Sequence, residues 1–138
     1  STIAPIAVGE TRGGRADYRY LLELDCLAQI IMDISWGGGI SEAKKIASMA
    51  ETWHIPIAFH DCTGPVSLTA CTHLALSTHN CHLQEIVRAF YYGWYNDLVT
   101  TLPPIHDGMI DVPEGNGLGL SLNKDIFKRK DVVIRKSS

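Results

Sequence analysis

Residues 55–85 read IPIAFHDCTGPVSLTACTHLALSTHNCHLQE, and their pattern decides the fold. Ile55 to Phe59 is a short apolar run of the kind a buried strand needs. It stops at His60 and Asp61. Gly64 and Pro65 then open a segment in which Leu68, Ala70, Cys71, Leu74 and Ala75 recur at helical spacing. Asn80 breaks that helix, and Cys81 to Gln84 makes a second short strand with Glu85 at its end. Strand, helix and strand joined by short loops predict a parallel pair with a crossover. In parallel sheets and barrels, the carboxyl ends of the strands form the edge that carries chemistry.

The same unit recurs upstream. Ile3 to Val8 is an apolar strand that runs into Gly9, Glu10 and Thr11, and residues 12–15, RGGR, form a loop. Asp17 is expected to cap a short helix through Tyr18, Leu21 and Leu22. Ala28 to Met32 is a second buried strand, ending at Asp33. Residues 35–39, SWGGG, are expected as a flexible loop. Ile40 to Trp53 is the clearest helix, with Ile40, Ala43, Ile46, Ala47, Ala50 and Trp53 on one face. The order β-α-β-α-β-α-β implies parallel strands with right-handed crossovers. It suits either an open four-stranded sheet or half of an eight-stranded barrel. Neither Gly13-Gly14 nor the glycines at 115–119 fit G-x-G-x-x-G, which weakens a nucleotide-binding reading.

Downstream of Glu85 the pattern changes. Phe90, Tyr91, Tyr92, Trp94 and Tyr95 make a dense aromatic patch, expected as core or as a subunit interface. Asp107-Gly108 between apolar residues signals a hairpin. Leu118, Leu120 and Leu122 alternate, and the end from Lys128 is polar and basic. The chain therefore divides into residues 1–99, carrying the β-α units, and residues 100–138, an extension expected to pack on something other than the barrel wall.

The 138 residues suit one domain. An apolar share of 46% with 20% charged residues predicts a packed core, and the net charge of −3 gives no reason to expect nucleic acid or an anionic membrane as partner. No run reaches the roughly 18 apolar residues of a membrane span. The first residues do not read as a signal peptide. Cys26, Cys62, Cys71 and Cys81 form no C-x-x-C and are expected as reduced thiols in a cytoplasmic protein. A zinc site using Cys62 and nearby histidines matches the spacing of no closed site. His54, His73, His79, His82 and His106 are assigned no chemistry.

Each strand ends in one ionisable residue: Glu10, Asp33, His60 and Glu85, spaced 23, 27 and 25 residues apart. Each step is about one β-α unit, so the four line one rim in order. Any one alone reads as a cap or a solvated loop residue; four in phase read as a site. Asp33 can hold the His60 imidazole by one nitrogen and leave the other as a general base. Glu10 is a hard oxygen donor suited to Mg²⁺. Glu85 suits a carboxyl kept protonated to donate to a substrate oxygen. The set fits proton abstraction next to a carboxylate. Arg12, Arg15 and Trp36 lie in rim loops, where an arginine suits a substrate carboxylate and the indole can wall a pocket.

The pieces GET at 9–11, DISWGGGISEAKKIA at 33–47, IPIAFH at 55–60, GPVSLTA at 64–70 and LQE at 83–85 resemble the enolase superfamily. The likeness is to its mandelate racemase and muconate lactonizing branch, and within that to galactonate-type sugar-acid dehydratases. It continues more weakly through PEGNGLGL at 113–120. The resemblance implies a (β/α)7β TIM-type barrel, of which this chain is the carboxyl-terminal half plus a C-terminal extension on the capping region or a partner chain. It implies Glu10 as one of three acidic Mg²⁺ ligands, Asp33 and His60 as a dyad, and Glu85 as an acid hydrogen-bonded to the substrate carboxylate or enediolate. The expected reaction is dehydration of an acid sugar; racemisation or epimerisation uses the same dyad. An inactive α/β binding module is the reading from another class. The upstream half, with its cap, four strands and two further metal ligands, is absent from the sequence. It is therefore an expected partner, beside a homo-oligomer. Asp61, where galactonate-type enzymes tend to have a neutral residue, is expected to alter substrate choice.

Overall fold

The computed structural model describes residues 4–136. Four strands, β1 (Ala7–Val8), β2 (Gln29–Met32), β3 (Ile57–Phe59) and β4 (Cys81–Gln84), pair in parallel in the order β1-β2-β3-β4. Each unit adds its strand beside the previous one and the order never reverses. With crossovers of one hand, every helix then lies on the same face, which is an arc of a barrel rather than a doubly wound sheet. The α/β class and the barrel-segment reading hold.

Three helices cover the sheet: α1 (Gly14–Glu23), α3 (Ile40–Thr52) and α4 (Pro65–Leu76), with a short α2 (Ile34–Gly37) between β2 and α3. Ile30 and Met32 of β2 and Ile57 and Phe59 of β3 point into one core with Tyr18, Leu22, Ile46, Ala47 and Leu74 from the helices. The small Ala43, Ala47 and Ala50 let α3 lie close to the sheet. Burying each large aliphatic chain contributes about 1.5–3 kcal/mol. α4 is buried on two sides, because Leu68 joins a second core with Tyr95, Val99 and Leu102. Its buried Thr69 and Thr72 donate to the carbonyls of Pro65 and Leu68, so their hydroxyls cost nothing. No helix among the described residues is long and apolar enough to cross a membrane.

Several expectations shift. The first strand, expected over 3–8, pairs only at Ala7–Val8; Ile3 lies outside the described residues, and the carbonyl of Ile6 already accepts from Ala28 N at 2.9 Å. Asp17 is not the cap of α1, which starts at Gly14. Its first turn is satisfied from another helix, Glu42 Oε1 of α3 accepting from Arg15 N at 3.0 Å, a tertiary cap that local sequence does not show. Residues 34–37 are α2 rather than loop, because Asp33 caps it and Gly38 ends it at φ +105°. Helix α3 closes on a Schellman turn, with Ile55 N on Ala50 O and His54 N on Glu51 O.

Beyond the sheet come α5 (Arg88–Tyr91), α6 (Tyr95–Leu98), a hairpin of β5 (Ile105–His106) and β6 (Met109–Ile110), and a 3-10 turn at Lys124–Lys128. Asp107 and Gly108 both have positive φ, as the two-residue hairpin turn requires. Residues beyond 100 lie back on the same chain: Val99 pairs with Leu122, and His73 Nε2 of α4 meets the Leu118 carbonyl at 3.1 Å.

Candidate active site

Backbone register sets the rim. His60 N donates to Met32 O at 3.0 Å and Glu85 N to Phe59 O at 2.8 Å, so the residues after β2, β3 and β4 stand side by side. The register of β1 on β2, with Val8 beside Ile30, brings Gly9 and Glu10 to the same end of the sheet.

Asp33 is the best held of them, 1% exposed. Its Oδ1 accepts from Ser35 N at 2.7 Å, the bond that caps α2. Its Oδ2 lies 3.0 Å from His60 Nδ1, and the Thr63 hydroxyl donates to it at 3.2 Å. A buried carboxylate without donors would cost several kcal/mol; this one has three. The carboxylate acceptor selects the tautomer with hydrogen on Nδ1, leaving the Nε2 lone pair free. The imidazole is 18% exposed, and the Trp36 ring stands 5.5 Å from it, tilted by 34°. The geometry is that of an oriented base with one reachable nitrogen.

Cys62 follows on the same side, Sγ 4.0 Å from His60 Nδ1. One ligand atom each from Asp33, His60 and Cys62 lies within 4.8 Å of the others. Burial holds the Cys62 thiol above its ordinary range, and the charges of Asp33, Asp61 and Glu85 add to it. Cys71, deeper in the core, is pushed up to about 12 by burial.

Asp61 faces the other way, as adjacent residues of an extended chain do. It is buried, its Oδ1 accepting from the Tyr95 phenol at 2.8 Å and its Oδ2 from Val87 N at 2.9 Å. The expectation that its charge alters substrate choice is thereby corrected: the carboxylate is spent inside the protein. Burial pushes its pKa up, against the pull of those two donors.

The other expected residues are placed less tightly. Glu10 is partly exposed, and with Asp33 it raises the Tyr18 phenol, whose main cause of elevation is burial. Arg12 is exposed, in a loop that lies against α2: a Cβ on Gly13 would come within 3.5 Å of the Trp36 carbonyl. Arg15 is not brought to the dyad; its Nε holds Glu42 Oε1 at 2.8 Å across α1 and α3. Glu85 is half-buried at the end of β4.

Sequence reading missed Thr63 and the buried pairing of Asp61 with Tyr95. Threonine after a strand carries no signal of its own. For Tyr95 there was one: a phenol inside an aromatic core must find a polar partner.

A family model described as enolase C-terminal domain-like matches residues 1–126. The chain is 36% identical over 125 residues to D-xylonate dehydratase of Haloferax volcanii, covering 91% of this chain and 30% of that protein. It is 36% identical over 134 residues to D-galactonate dehydratase of Xanthomonas campestris pv. campestris, covering 94% and 35%. Among solved structures, an enolase of the mandelate racemase subgroup from Agrobacterium tumefaciens superposes with a TM-score of 0.85 at 57% identity, covering 91% of this chain and 34% of that one. An enolase protein from Sargasso Sea environmental sequencing superposes with a TM-score of 0.89 at 42% identity, covering 97% and 36%. The chain spans about a third of the length of these relatives.

Proposed function

The chain belongs to the enolase C-terminal domain-like family, and from that premise we propose that it carries the base-bearing rim of a Mg²⁺-dependent sugar-acid dehydratase of the enolase superfamily, a hydro-lyase. The observation that carries the reading is the His60 Nδ1 to Asp33 Oδ2 pair at 3.0 Å, on the ends of adjacent parallel strands. The names of two relatives, D-xylonate and D-galactonate dehydratase, support the substrate class and the direction of the chemistry.

His60 Nε2 takes the proton on the carbon next to the substrate carboxylate. The C–H electron pair moves into the carboxylate as an enediolate. Asp33 keeps the imidazole in register and stabilises the imidazolium that forms. Glu85 donates a hydrogen bond to the same substrate end. The pair then returns to form a C=C bond as the β-hydroxyl leaves, taking a proton from an acid outside this chain to become water. Trp36 walls the pocket beside His60, and Arg12 reaches the substrate's acid group.

Glu10 supplies one oxygen towards Mg²⁺, which normally needs near-octahedral coordination completed by other carboxylates and water. The residues of this chain do not make that site alone, so its remaining ligands belong to the part of the relatives that the chain does not span. When bound, the ion supplies positive charge at the substrate carboxylate. The sheet supports an absent neighbour. Leu83 of β4 is 61% exposed, Leu76 and Met109 beside it are also exposed, and together they line an apolar groove. Gln84 Oε1 is buried without a donor among the described residues. Further strands of the barrel would cover that edge, in a cytoplasmic homo-oligomer.

The test is solvent exchange in D₂O with the intact, Mg²⁺-loaded protein and a panel of acid sugars. Deuterium entering at the carbon next to the carboxylate, with loss of water, is expected, and His60→Asn should abolish both. Exchange without loss of water would turn the reading to the racemase or epimerase, which uses the same dyad. No exchange with any acid sugar would leave the chain a binding module.

A further inference from the structure

We propose that Asp33, His60 and Cys62 form a site for a thiophilic divalent cation, Zn²⁺ by the chemistry of the donors, and that filling it silences the dyad. The silencing rests on the reading of His60 as the base; the binding does not.

Three different ligand types converge here: a carboxylate oxygen, an imidazole nitrogen and a thiol sulfur. Thiolate and imidazole donors select zinc-like ions and disfavour Mg²⁺, so this is a different site from the one Glu10 serves. Tetrahedral zinc, with Zn–N and Zn–O near 2.0–2.1 Å and Zn–S near 2.3 Å, sets its ligand atoms about 3.3–3.6 Å apart. Nδ1 lies 3.0 Å from Asp33 Oδ2 and 4.0 Å from Cys62 Sγ. The first of these gaps must widen and the second close by a few tenths of an ångström, and the Asp33–Cys62 gap, within 4.8 Å, must close to the same spacing. Asp33 is held by Ser35 and Thr63, which fixes the first ligand as outer hydrogen bonds do in built metal sites. His60 and Cys62 are only partly buried, so both are open to solvent in part.

No other cysteine has such a setting. Cys71 is buried in the core, the Cys81 thiol donates to the Leu83 carbonyl, and Cys26 is exposed.

Binding redistributes two protons. Cys62 loses its thiol proton to solvent as the Zn–S bond forms. The metal takes the Nδ1 lone pair, so the proton that Nδ1 shared with Asp33 moves to Nε2. Nε2 then carries hydrogen, has no lone pair towards the substrate, and cannot act as a base.

Co²⁺ is the probe, added to the intact protein in excess Mg²⁺. One equivalent should give a thiolate-to-cobalt charge-transfer band and the intense visible bands of four-coordinate cobalt, and Zn²⁺ should displace it. Cys62→Ser should remove the charge-transfer band and weaken Co²⁺ binding at least tenfold, and His60→Asn should weaken it likewise. Cys71→Ser, or Cys81→Ser if the former unfolds, should keep the band. Absence of the band in the wild type, or its survival in Cys62→Ser, overturns the site. Where the wild type exchanges substrate protons, Zn²⁺ should stop exchange only while Cys62 is present; equal inhibition of Cys62→Ser overturns the switch. A protein that shows the band but never exchanges refutes the dehydratase reading and the silencing that rests on it, and leaves the metal site standing.

Discussion

The Tyr95 phenol donates to Asp61 Oδ1 at 2.8 Å, with both side chains buried. This one bond links the turn after β3, which carries His60, to the aromatic segment after β4, which follows Glu85. The same carboxylate accepts from Val87 N, two residues beyond Glu85. The phenol oxygen in turn accepts from Gly64 N, at the start of α4. Three backbone segments of the rim therefore meet at one buried carboxylate–phenol pair.

Tyr95→Phe keeps the ring in its core and removes only the oxygen. It leaves Gly64 N without its acceptor and Asp61 with one donor fewer. The cost should be about 1–3 kcal/mol, the range for an unmade buried hydrogen bond. Urea unfolding of the intact protein measures it. A loss below a few tenths would mean that water replaces the phenol and that the pair holds nothing.

Asp61 makes that stability depend on pH. Burial pushes its pKa above its ordinary 3.8, so the folded protein holds this proton more tightly than the unfolded chain does. Its contribution is fully present below the unfolded value and is lost as pH rises through the folded one. Asp61→Asn cannot titrate. The unfolding free energy of the wild type relative to Asp61→Asn should therefore rise as pH falls from neutral towards the ordinary carboxylate range. Denaturant curves at a series of pH values check this; a flat or falling difference would mean that the Val87 and Tyr95 donors outweigh burial.

What the sequence carried and what it hid divide by range. The four strands could be read because each is an apolar run that stops at a charged residue, and the spacing between those residues placed them on one rim. Asp33 and His60 were legible as a pair for the same reason. The roles of Asp61 and Glu42 were not, because each is decided by a partner far along the chain, Tyr95 for one and the start of α1 for the other. Local propensity also misread residues 35–37: Ser, Trp and Gly before two more glycines look like loop, but a capping carboxylate at Asp33 and a left-handed Gly38 at the other end make them helix.

Glu42 separates the two rim arginines. Arg15 Nε lies 2.8 Å from Glu42 Oε1, and the pair also closes the first turn of α1. Arg12 has no such partner among the described residues. Arg12→Ala should raise KM for an acid sugar by about tenfold or more, the worth of a charged hydrogen bond, with kcat changed less. Arg15→Ala should leave KM within about twofold, since exposed ion pairs contribute little. Steady-state kinetics of the intact protein decide it; a larger KM effect at Arg15 would place the substrate's acid group on the α1 side.

Gly9 is the position from which Glu10 is aimed. Its φ is +130°, and a Cβ there would lie 2.7 Å from the Ile31 carbonyl and 3.0 Å from the Tyr18 ring. Its own carbonyl accepts from the buried Tyr18 phenol at 2.7 Å, which pins the end of β1 to α1. Alanine would pay about 1–2 kcal/mol for the left-handed backbone, and would push β1 off β2 to clear the carbonyl. Gly9→Ala should therefore cost at least about 2 kcal/mol of stability, a loss typical of strain at a special backbone position. It should also weaken Mg²⁺ binding by the intact protein, because Glu10 moves with the strand end. Urea unfolding and Mg²⁺ titration read the two effects separately. Lost stability with unchanged Mg²⁺ affinity would take Glu10 out of the metal site.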